Sequence, residues 1–214
     1  MLRDVSSNEL FTILIVIGLT FIALAKAIYP KRFDDFVFVL GNSKYLKIYA
    51  REQKFLDRFD ALLFINLIIS ASIFIFLMYR LFIDDIEISL GILIKLIFGV
   101  GVFILIKVLV ERLIGSLFEI DSLMDQYLFQ KISYKNFVGI ILLPINALLI
   151  FSFEASKEII YIILFLLLII IIIGLITSFK AYQSLIKRNL FYFILYLCTL
   201  EIAPYIILYK VINV

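Results

Sequence analysis

Between Glu158 and Lys180 the chain runs without a single charge, IIYIILFLLLIIIIIGLITSF, nearly all isoleucine and leucine. As a helix such a stretch covers about 30 Å, the thickness of a bilayer's hydrocarbon core, and it offers no polar face to water. With it, six comparable runs can be read, at 10–29, 61–79, 90–110, 137–153, 159–179 and 190–209. They are continuous rather than alternating and about twice the length of a barrel strand, which predicts helices. Inside lipid every backbone polar group needs an internal partner, and a helix supplies one within its own segment.

Composition closes off the other classes. Of 214 residues 64% are hydrophobic and 17% charged, against about 45–50% and about 25% in an ordinary soluble domain. Mean hydropathy is +1.15. A soluble enzyme, a disordered chain and a collagen-like or coiled-coil rod are excluded. The expected fold is all-α, an integral membrane helical bundle of about six transmembrane helices forming one polytopic domain over 1–214. The first run is followed by no small-residue cleavage site and reads as a retained helix. Tyr29, Tyr79, Tyr161, Tyr182, Tyr192 and Tyr209 fall at or near the ends of the runs, where an aromatic hydroxyl favours the interface.

Basic residues orient the bundle. With the N-terminus outside, the inner connections 30–60, 111–136 and 180–189 carry thirteen Lys and Arg, against four on the opposite side. The positive-inside bias therefore places both termini outside the cytoplasm, periplasmic in a bacterial inner membrane. Two inner connections are long for a bundle. In 31–58, Tyr45, Ile48, Tyr49 and Phe55 lie among charges, suiting one or two amphipathic helices in the interface, broken at Gly41-Asn42-Ser43. In 113–130, Leu113, Leu117, Ile120, Met124 and Leu128 share one helical face. Membrane-surface packing and docking of a cytoplasmic partner are the two uses of such faces.

Charge deep in a span costs about 2.5–3.5 kcal/mol and demands a reason. Glu201 lies twelfth in its run, on one face with Cys198 and Tyr205, and Pro204 removes the donor that would bond the Leu200 carbonyl. Gly91, Lys95 and Gly99 repeat every four residues, a face suited to close helix approach. The expectation is a Lys95–Glu201 ion pair between the third and sixth spans, with snorkelling of Lys95 as the open alternative. Lys107 is expected to pair with Glu111 one turn on. Pro144 and Asn146, mid-way along the fourth run, read as a kink and an interhelical hydrogen bond.

The absences narrow function. No histidine occurs, so no His-based triad, metal site or proton shuttle can be built. Cys198 is the only cysteine and can form no internal disulfide. No phosphate-binding, nucleophile-elbow or zinc-protease string is present, and a net charge of +3 does not suggest a nucleic-acid binder. The expectation is therefore no enzyme, no catalytic residue, no cofactor and no metal. The leading reading is a non-enzymatic inner-membrane subunit or assembly factor of an envelope complex, with other membrane subunits and the bilayer as partners. Homo-oligomerisation is left open. The alternative is a small proton- or ion-coupled channel or transporter using Glu201. A lipid-active enzyme ranks third, since Asp34, Asp35, Arg112, Glu119, Asp121 and Asp125 have no spacing that specifies chemistry.

Three tracts carry a resemblance: FYFILYLCTLEIAPYIILYK at 191–210, KAIYPKRF at 26–33 and ERLIGSLFEID at 111–121. Together they resemble a Bacteroidota family of small multi-pass membrane proteins known only as a domain of unknown function. The resemblance implies an inner-membrane protein and places Cys198, Glu201 and Pro204 in the family's motif, but brings no activity or ligand; in that bacterial group a secretion or surface-motility machine is a reasonable client, though nothing in these residues names one.

Overall fold

The computed structural model describes residues 9–41, 44–49, 57–83, 89–117, 121–152 and 156–188. Seven helices follow one another in these residues: α1 Glu9–Ile28, α2 Pro30–Val37, α3 Lys44–Tyr49, α4 Arg58–Phe82, α5 Leu90–Leu117, α6 Asp121–Phe151 and α7 Lys157–Arg188. No strand occurs among the described residues. Five helices, α1, α4, α5, α6 and α7, are long and apolar enough to cross a membrane. The sixth expected span, 190–209, lies outside the described residues, and with it Cys198, Glu201 and Pro204.

The central pair is α4 and α6, which run parallel: Asn136 Nδ2 donates to the Asp60 carbonyl at 3.3 Å, and ten residues further along both helices Asn146 Nδ2 donates to the Ser70 carbonyl at 2.8 Å. Gly139 permits this closeness, since a Cβ there would stand 2.7 Å from Leu67 Cα. The antiparallel α1 crosses the pair where Gly18 meets Asn66 and Leu143. On another side α5 passes Ile68 of α4 at Gly101, and α7 lies on α6 with Gly174 against the Tyr134 ring. The apolar interior of the bundle includes Phe11, Ile73, Phe76, Leu93, Leu143 and Ile160. Outward faces of α1, α5 and α7 remain apolar and exposed, Phe98 and Phe165 among them, as a lipid-facing surface requires.

Boundaries differ most from expectation in the fourth span. In place of a short 137–153 helix preceded by an interfacial one, α6 is a single helix from Asp121 to Phe151, and α5 continues to Leu117. The face expected to unite 113–130 is thus divided. Leu113 and Leu117 are exposed on α5, while Met124 and Leu128 are buried on α6. The physical reason is that nothing between 121 and 143 breaks a helix, and the apolar side of this stretch finds protein rather than lipid. Pro144 sits exposed inside α6 without ending it. In the 30–58 connection α2 and α3 fall on either side of Gly41-Asn42-Ser43. Tyr45, expected in the membrane interface, is instead fully buried against protein.

Candidate functional site at the basic end of the bundle

Helices α1 and α5 run toward the end where α4 and α6 begin, and the charged side chains gather there. Because Asp60, two residues into α4, stands beside Asn136, the first thirteen residues of α6 extend past the start of α4, about 20 Å of helix. The end of α5 accompanies them, forming a helical hairpin beyond the end of α1 and the start of α4.

Two ionic contacts close this hairpin. Lys131 Nζ donates to Glu111 Oε1 at 2.6 Å, with the Glu111 side chain fully buried. Arg112 Nε lies 3.4 Å from Asp125 Oδ1 on the surface. Lys107, expected as the partner of Glu111, is buried one turn away on α5, while Lys131 holds the carboxylate from across the hairpin. Gly115 brings the helices together at the tip, since a Cβ there would meet Met124 Cβ at 2.7 Å. Val108, Met124, Tyr127, Leu128 and Ile132 fill the space between.

A clasp made of α2 and α3 wraps the opposite side of α6. Pro30 is disfavoured after a helical residue, which puts Tyr29 at φ −128° and ends α1; the Phe33 amide then bonds the Tyr29 carbonyl and opens α2. Phe36 turns inward among Tyr45, Phe59 and Phe137, with ring centroids 5.3, 5.7 and 6.1 Å away. Arg32 is the latch. It bonds Asp57, which also caps α4 through the Arg58 amide, and its Nη2 donates to Asp60 Oδ2 at 3.0 Å. The guanidinium is stacked 4.7 Å over Phe59 and 5.0 Å over Tyr49, a use of a planar cation that lysine cannot reproduce. Burial alone lowers the Arg32 pKa, but Tyr45 and Asp60 outweigh it and hold it above the ordinary value. Burial pushes the Tyr45 phenol well above its ordinary value, with Asp60 adding to the effect and Arg32 opposing it.

The remaining sequence candidates separate. Lys95 is exposed on the outer face of α5, and a Cβ added at Gly91 or Gly99 meets nothing within 4 Å among the described residues. Asn146 is buried in the α4–α6 interface, where Ser70 Oγ also reaches Asn66 Oδ1 at 3.4 Å. Sequence reasoning missed Asp60, Asn66 and the Arg32 latch. A stripe of Asn66 and Ser70 four residues apart inside an apolar run is a readable signal for the second of these. Nothing local marks Arg32 among thirteen inner-side cations. No group of three or more His, Cys, Asp or Glu that could hold a metal occurs among the described residues.

What these elements define is a multi-helix bundle of the membrane-crossing type, with its buried charge, among the described residues, concentrated at one end. The chain matches, over residues 11–212, the family described as Domain of unknown function (DUF4271), and it belongs to that family. No curated protein and no solved structure matches it. Two of the tracts quoted above, 26–33 and 111–121, supply Arg32, Glu111, Arg112 and Gly115, all at the basic end.

Proposed function

We propose that this protein is a non-enzymatic subunit or assembly factor of a complex in the bacterial inner membrane of the Bacteroidota. In this reading it has six spans, both termini face the periplasm, and the basic end faces the cytoplasm. The observation that supports it is the α5–α6 hairpin. The hairpin extends beyond the end of α1 and the start of α4, is braced by Lys131–Glu111 and Arg112–Asp125, and carries Leu113 and Leu117 at 60% and 71% exposure near its tip. A braced helix pair displaying two leucines beyond the bilayer is a docking element, because rigidity lowers the ordering cost of association. The Arg32 latch serves the same end by fixing α2 and α3 to the start of α4. The Lys95–Glu201 ion pair expected from the sequence belongs to this proposal, Glu201 lying outside the described residues.

Affinity purification of the tagged protein from its native membrane in mild detergent tests the proposal. Stoichiometric recovery with other membrane subunits supports it. Recovery alone, or only as a homo-oligomer, contradicts it.

A further inference from the structure

Helix α2 lies at a definite depth. Its buried face meets Phe59 in the first turn of α4 and Phe137 on α6, and both residues border the apolar parts of those helices. Its Phe33 lies 6.0 Å from Lys26 Nζ in the last turn of α1. The hydrocarbon-facing surface of α1, with Leu24 and Ile28 exposed, runs directly up to the start of α2. Helix α2 is therefore level with the edge of the bilayer rather than out beside the hairpin. Helix α3 spans a greater depth: its Tyr45 ring stacks on Phe129, eight residues before Phe137 on α6, while its Tyr49 returns to the Arg32 guanidinium that stacks on Phe59.

At that depth the outward side of α2 is not the polar face of a soluble helix. Val37 is 43% exposed and Phe38, in the turn that follows, is 68% exposed, the largest aromatic surface at this end of the bundle among the described residues. Lys26, Lys31 and Arg58 are exposed nearby. Asp34 is the exposed acid on the same helix, and Asp35 accepts the Tyr49 hydroxyl at 3.4 Å. Cations flanking an apolar edge, continuous with a lipid-facing helix, match the chemistry of a phospholipid boundary.

We propose that α2 and its following turn are a lipid-interface anchor, with Val37 and Phe38 set among the upper acyl chains and Lys26 and Lys31 on headgroup phosphates. Through Arg32 the anchor holds the start of α4 at a fixed height, so bilayer contact is coupled to the hairpin. The inference rests on the bundle spanning a membrane and not on any partner.

The protein contains no tryptophan, so Phe38→Trp makes a single emitter at the site without disturbing a buried contact. The full chain is reconstituted in vesicles of phosphatidylethanolamine and phosphatidylglycerol. Emission from the Phe38→Trp variant is expected at short wavelength, and most of it should be lost to lipid brominated near the top of the acyl chain. Iodide should have little effect. Leu117→Trp at the tip of the α5–α6 hairpin should show the reverse: quenching by iodide and none by brominated lipid. Efficient iodide quenching at position 38 with no effect of brominated lipid overturns the proposal. Because the vesicles hold no partner, this outcome is independent of co-purification.

Discussion

Lys131 and Glu111 stand 2.6 Å apart across the α5–α6 hairpin, and the carboxylate has no exposure to solvent. Removing the cation strands a buried charge, which costs about 3–5 kcal/mol where no substitute is near. Lys107 stays close on α5, so Lys131→Met should fall at the low end, about 3 kcal/mol. The paired Glu111→Met, Lys131→Met variant should recover most of the loss. Chemical unfolding in detergent reads all three; a double variant no better than the single one would show that the pair is not the source of the effect.

The Arg32 latch predicts a different signature. Arg32→Lys keeps the charge but loses the fork between Asp57 and Asp60 and the stack on Phe59 and Tyr49. Trypsin should then cut the 44–54 stretch faster in vesicles, with Arg32→Met faster still, while cleavage near Lys157 stays unchanged. Equal rates in wild type and both variants would mean the latch does not hold the connection down.

Gly139 and Asn146 test the α4–α6 contact. A methyl at Gly139 meets backbone that cannot swing aside, so Gly139→Ala should cost about 1–3 kcal/mol. Asn146→Leu removes one interhelical hydrogen bond, for which membrane double-mutant cycles give about 0.6 and at most about 1.7 kcal/mol. The glycine variant is thus the more damaging of the two, and a reversed order in thermal melts would count against the tight parallel pairing.

Alkaline pH probes Tyr45. Its phenol is held above the ordinary value of 10 by burial, so the folded state binds the proton more tightly than the unfolded chain does. The associated stability is complete below pH 10 and is lost as pH rises above it. Melting temperature should fall more steeply above pH 10 in wild type than in Tyr45→Phe. Parallel slopes would place Tyr45 in contact with water.

The spans were legible because lipid leaves a chain little choice: 10–29 and 61–79 differ from α1 and α4 by only a few residues, and 90–110 shares its start with α5, which runs seven residues further. The start of α6 was not legible. Residues 121–136 are polar enough to look like a loop or surface helix, and only contact with α2, α3 and α5 makes them the first half of one long helix. The same reason hid the basic-end pairings. Arg32 and Asp60 are 28 residues apart, and Glu111 and Lys131 are 20 apart, so no local spacing announces either. Asn146 could be found because a lone amide in an apolar run needs a partner; that its partner is the Ser70 carbonyl depended on the register of two helices. Lys95 is placed, but Cys198, Glu201 and Pro204 fall outside the described residues.

The hairpin as a docking element is the central claim, and Leu117 is where it is most exposed to test. A photo-crosslinking amino acid at position 117, activated in the native membrane, should yield one discrete protein adduct, and Leu113→Asp in the same chain should abolish it while the protein still inserts. No protein adduct at position 117, or adducts unaffected by Leu113→Asp, would contradict the account.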